Sequence, residues 1–102
     1  MAYALLFLAG ALLCNAIPHL AAGLRGEPFP TPFARPRGIG HSSAFTNFLW
    51  GTANLAAGLA LAHWQWPMLP VTIAFAMTTA GWLALGAYCS RHFAKVRAGR
   101  AD

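Results

Sequence analysis

Two long uncharged stretches organise the chain. No Asp, Glu, Lys or Arg occurs from Met1 to Leu24 or from Gly38 to Ser90. A helix that crosses a bilayer needs about 20 apolar residues. The first stretch holds one such span, and the second holds two with a tight turn between them. The pattern predicts an all-α integral membrane fold of three transmembrane helices in one membrane domain, 1–102. Helix 1 is expected over about 3–24, helix 2 over about 44–62 and helix 3 over about 68–89, with a loop at 25–43 and a basic tail at 90–102. Pro18 falls inside helix 1, where it removes a backbone bond and predicts a kink near Cys14. Ser42 and Ser43 offer an N-cap for helix 2. His63-Trp64-Gln65-Trp66-Pro67 reads as the turn, and Pro70 is tolerable in the first turn of helix 3.

Composition agrees with a chain immersed in lipid. Of 102 residues, 58% are hydrophobic and 9% charged, against about 25% charged in soluble domains. The pI of 10.3 does not point to nucleic acid, because the basic residues flank apolar spans and leave no free basic helix or aromatic platform. Helix 1 lacks the positive n-region of a signal peptide. Cys14 and Cys89 fall in the membrane or at its cytoplasmic face, so free thiols are expected.

Charge also sets orientation. Arg25, Arg35 and Arg37 lie in the loop, and Arg91, Lys95, Arg97 and Arg100 in the tail. Three spans put both on one side, which the positive-inside rule makes cytoplasmic. The expected location is a bacterial inner (plasma) membrane, with the N-terminus outside and the C-terminus in the cytoplasm. Trp64 and Trp66 then mark the outer interface and Tyr88 the inner one.

The loop carries its own chemistry. Pro28, Pro30, Pro32 and Pro36 forbid a regular helix and favour extended geometry. Phe29 and Phe33 alternate with them and can dip into the interface or pack on the helix ends. With Arg25, Arg35 and Arg37 they form a candidate site for anionic lipid head groups.

Within the spans, polar residues fall in register. Asn47, Gly51, Asn54 and Gly58 line one side of helix 2, and Ala74, Thr78 and Gly81 form a weaker stripe on helix 3. Such faces are the usual glue of membrane bundles, and the alternative is a polar path lined by Asn47 and Asn54. Asn15 and His19 sit one turn apart at the depth of Asn47. That cluster is either functional, as intramembrane ionisable residues often are, or a neutral histidine with its bonds satisfied. Gly10 and Cys14 lie on one side of helix 1, with Ala4, Ala11 and Asn15 on another. One copy is not expected to bury all these faces, which predicts a homo-oligomer or a subunit of a larger complex.

No Ser-His-Asp set, carboxylate pair or phosphate loop is present, and no metal site is expected. Glu27 and Asp102 are the only acids and neither lies in a span, which argues against a carboxylate-driven exporter. No cofactor is expected, haem held by His19 and His92 being the alternative. Three functions stay open: a non-catalytic accessory subunit or oligomeric scaffold, which leads; a minimal channel or transporter lined by Asn47, Asn54 and His19; and a haem-binding redox subunit.

Asn15-Ala-Ile-Pro-His19, Phe29-Pro-Thr-Pro-Phe33, and Ser42-Ser43 followed by Asn47-Phe-Leu-Trp-Gly51 resemble a family of small uncharacterised bacterial inner-membrane proteins of three helices. The resemblance covers the first half of the chain. It implies no activity, but it does imply that Asn15, Pro18, His19 and the Phe-Pro loop work together.

Overall fold

The computed structural model describes residues 1–100. The fold is all-α: α1 spans Ala2–Leu24, α2 Ala44–Gln65 and α3 Val71–Arg100, with a 3-10 turn at Trp66–Met68 between α2 and α3. Among the described residues there is no strand, only an isolated antiparallel bridge between Phe29 and Ser42. Two helices, α1 and the apolar part of α3, are long and apolar enough to cross a membrane. The longest dimension, 49 Å, exceeds the roughly 30 Å of a hydrocarbon core.

The helix ends differ from the sequence expectation at three places. Helix α2 runs on through His63 and Trp64 to Gln65, and Pro67 is taken up by the 3-10 turn, where its missing N–H costs nothing. Helix α3 starts at Val71, not near Met68, because Leu69 precedes a proline and is held extended. It then continues through the expected tail to Arg100. The Ala, Lys and Arg residues beyond Ser90 are strong helix formers, and nothing there breaks the helix. Asp102 lies outside the described residues.

Helix α1 is the central element. It packs along both α2 and α3, which make little contact with each other. The apolar core is small-residued: apart from Leu6, its buried members are Ala9, Ala16, Ala22, Ala34 and Ala74. Close approach of main chains replaces bulky interdigitation. On the α3 side, Gly10 lies against the Thr78 carbonyl and Gly81 against the Phe7 carbonyl, with no room for a Cβ at either. On the α2 side, a Cβ on Gly51 would lie 2.8 Å from Leu20, and one on Gly58 2.8 Å from Leu13.

This arrangement accounts for two of the faces expected to be surplus, while Ala4 on the third stays exposed and Ala11 and Asn15 are half-buried. The Asn47–Gly58 face is buried against one side of α1, and Gly10 is buried against α3 on another. A single copy therefore uses both faces internally. What remains outside includes large apolar residues, Val71, Phe75 and Leu83 on α3 and Phe45 and Leu59 on α2, among smaller ones such as Ala4, Ala53, Ala57, Ala76 and Ala80.

Candidate functional site

The site lies where the loop closes over the ends of α1 and α2 and the flank of α3. Gly26 and Gly38 turn the loop with φ of 73° and 70°, values that side chains rarely tolerate. Phe29 and Ser42 exchange backbone bonds of 3.2 and 3.0 Å. Thr31, 1% exposed, holds the interior of the loop. Its carbonyl accepts from the amides of Ala34 and Gly38, and its hydroxyl pairs with Ser42 Oγ and accepts from the Phe33 amide. Prolines cannot donate, so the few remaining amides carry the order of this loop.

Asn47 ties the loop to the helices. Its side chain is fully buried. Its Nδ2 donates to the carbonyls of Phe29 (2.9 Å), Ser43 (3.0 Å) and, more weakly, Ser42 (3.3 Å). Those three acceptors fix which end of the amide is nitrogen. The Oδ1 therefore faces His19 Nδ1, 2.7 Å away. An amide oxygen only accepts, so Nδ1 of His19 carries the hydrogen, and in the neutral ring Nε2 is a bare lone pair. His19 is 2% exposed.

A second chain of bonds crosses all three helices one turn deeper. Cys89 Sγ lies 3.8 Å from Asn15 Oδ1. Asn15 Nδ2 donates to Asn54 Oδ1 (3.0 Å), and Asn54 Nδ2 donates to the Trp50 carbonyl (2.8 Å). Asn15 is thus paired with Asn54, not with His19. On α3, His92 Nε2 lies 2.8 Å from the Gly38 carbonyl oxygen. By the same logic Nε2 carries hydrogen there and Nδ1 is the lone pair.

These groups surround one cavity of about 350 Å³. Its walls include His19, Trp50, Tyr88, Cys89, His92 and Phe93, under a roof formed by residues 30–32, Arg37 and Gly38. The Trp50 indole N–H is buried with no acceptor, the one such side-chain atom among the described residues. His19 meets Phe29 edge-on at 5.5 Å, Phe29 meets Phe93 at 4.7 Å and Phe93 meets His92 at 4.9 Å.

Apart from Arg37, the other sequence candidates lie outside this cavity. Gly51 and Gly58 serve the α1–α2 contact, and Ala74 and Gly81 are buried on α3, with Thr78 Oγ1 donating to the Ala74 carbonyl. Arg25 is paired with Glu27 at 2.8 Å. Arg35 is exposed, and Arg37 is exposed at the cavity roof. Phe33 is 62% exposed, whereas Phe29 is half-buried between His19 and Phe93. No group of three His, Cys, Asp or Glu among the described residues can hold a metal ion. His19 and His92 share the cavity, but Phe29 and Phe93 link them ring to ring. Both cysteines are free.

Sequence reasoning passed over Thr31, Trp50, Cys89 and Phe93 as site residues. Trp50 carried a signal, since an indole inside the Asn-Phe-Leu-Trp-Gly run needs a partner for its N–H. Comparison with protein-family models, with curated proteins and with solved structures finds no match.

Proposed function

We propose that this chain is a three-span inner-membrane protein that binds a small ligand without transforming it, as an accessory subunit. Helix α2 is the third span on this reading. Its Thr46, Asn47, Thr52 and Asn54 make it less apolar than its neighbours, but Asn47 and Asn54 are bonded within the chain and Thr52 Oγ1 donates to the Phe48 carbonyl. The seven basic residues on the loop side favour a cytoplasmic loop and C-terminus. The partners are membrane lipids, anionic ones near Arg35 and Arg37 included, and a second copy or larger membrane complex against the apolar outer faces.

One observation carries the binding reading: a cavity roofed by an ordered loop, into whose walls a buried histidine of fixed tautomer is built. Convergent polar groups in a mostly apolar pocket are the usual form of a ligand site. A channel draws less support, because Asn47 and Asn54 are satisfied within the chain.

The test is native mass spectrometry of the protein taken from its own membrane, with Leu85→Trp filling the cavity. A small molecule retained by the unaltered protein and lost from the variant is the expected result. A protein that retains nothing, or a variant that retains the same molecule, refutes the reading. A reporter fused after Gly99 that is active only in the periplasm refutes the topology.

A further inference from the structure

The cavity walls carry two imidazole hydrogen-bond acceptors beside the donors of Trp50, Tyr88 and Arg37. His19 Nε2 and His92 Nδ1 make no hydrogen bond, and neither is sealed away. Their tautomers are set by Asn47 and by the Gly38 carbonyl of the roof, so in the neutral rings both free nitrogens are lone pairs on residues that line the cavity. Asn15 and Asn54 are occupied with each other. A ligand that satisfies both imidazoles must therefore bring hydrogens. It must also be flat and apolar, because the rings of Trp50, Tyr88 and Phe93 join the two imidazoles around a space at the small end of ligand pockets.

We propose that the cavity takes a hydroxylated aromatic ring, a phenol or quinol head group drawn from the bilayer, in preference to the matching quinone. This rests on reading the cavity as a ligand site. A quinol hydroxyl donates to an imidazole lone pair and still accepts. Beside His19 it gives the orphaned Trp50 N–H an acceptor once the indole turns toward it. A quinone has only acceptor oxygens, so it leaves both imidazole edges unpaired. A site built around a hydroxyl rejects an analogue that lacks it far better than an apolar pocket rejects an extra group. The bilayer is the expected source, since the cavity lies at the loop end of two helices apolar enough to cross it.

The test uses the full chain in lipid nanodiscs and three probes: tetramethylhydroquinone, its dimethyl ether and tetramethylquinone. Calorimetry gives each affinity. The quinol is expected to bind at least about tenfold tighter than the ether or the quinone. A tenfold preference over the quinone equals a rise of about 30 mV in the midpoint potential of the bound couple. His19→Phe and His92→Phe are each expected to reduce the quinol-to-ether ratio toward one. That ratio is the informative readout, because a variant that only loosens the loop weakens both probes alike. Equal binding of all three rings, with a ratio unmoved by either variant, overturns the quinol assignment and leaves a ligand site standing. Binding of none of them overturns the assignment too, and retention of a different molecule by the native protein then shows that the cavity serves another class.

Discussion

Replacing Asn47 by Ala should unlock the loop from the helices while leaving the rest of the bundle in place. The side chain makes three good hydrogen bonds, one from His19 at 2.7 Å and two to the Phe29 and Ser43 carbonyls at 2.9 and 3.0 Å. Interhelical hydrogen bonds in membranes average about 0.6 kcal/mol, and net values in proteins centre near 1 kcal/mol. Three of them therefore contribute about 2–3 kcal/mol. The groups left behind decide whether more is lost. The Phe29, Ser42 and Ser43 carbonyls each keep a backbone donor, from Ser42, Phe29 and Asn47 respectively. Only the His19 Nδ1–H is stranded, at a cost of about 1–3 kcal/mol unless the ring takes its other tautomer. The total is about 3–6 kcal/mol, roughly two to four powers of ten in the closing equilibrium of the loop. Amide hydrogen exchange at Phe33, Ala34 and Gly38, whose amides bond Thr31, reads it directly. Exchange there should speed up by that factor, while amides near Gly81 stay protected. Protection unchanged within threefold would show that the loop is held by its own internal bonds, and the Asn47 account would be wrong.

Three further outcomes follow from the contacts. Gly81→Ala sets a Cβ against the Phe7 carbonyl and should destabilise the α1–α3 contact by about 1–3 kcal/mol; Gly86→Ala, whose Cβ meets only Cys14 Sγ at 3.4 Å, should stay within about 0.5 kcal/mol of the parent in detergent unfolding. Ser43 Oγ accepts from the Thr46 amide at 3.1 Å, so Ser43→Ala should cost about 1 kcal/mol, read as faster exchange confined to the first turn of α2. Arg35→Gln with Arg37→Gln should lower retention of anionic lipid about thirtyfold, since each basic group near such a surface contributes about 1 kcal/mol; unchanged retention in native mass spectrometry would leave those arginines a topological role alone.

The helical architecture was legible because uncharged length and proline are strong local signals. Where they misled, local physics explains it. A tail read as polar is helical through Arg100 because its composition suits a helix as well as it suits water. The steps of four, three and four from Asn47 to Gly58 mark a face, but periodicity does not say whether that face meets another copy or the same chain. Here α1 has two small-residue sides and accepts a helix on each, so the Asn47–Gly58 face and Gly10 are used within one copy, while small residues such as Ala4 and Ala57 stay outside. The pairing of polar residues was less legible still. Asn15 and His19 share a helix face, yet Asn15 bonds Asn54 and His19 bonds Asn47. Which asparagine meets which partner depends on the axial offset of α1 against α2, which the Gly51–Leu20 and Gly58–Leu13 contacts set and which no single-helix pattern contains.

The contact of α1 with α3 and the closure of the loop are held by different means, and the difference separates a rigid end from an adjustable one. Toward α3, in the turns around Gly10 and Gly81, main chain meets main chain with no side chain between. Such a contact has few alternative arrangements, because any shift either overlaps backbone or opens a void. Toward the loop, hydrogen bonds of Asn47, Thr31 and His92 do the holding. Each can be exchanged for a bond to a ligand or to water at small net cost. A molecule can therefore enter beneath the loop by replacing bonds one at a time while the glycine crossing stays fixed. Aromatic walls fit that division, since the rings of Phe29 and Phe93 can slide on one another without stranding polar groups. The chain thus concentrates its exchangeable bonds at the end where the only buried histidine among the described residues lies, and that is the end at which binding should be sought.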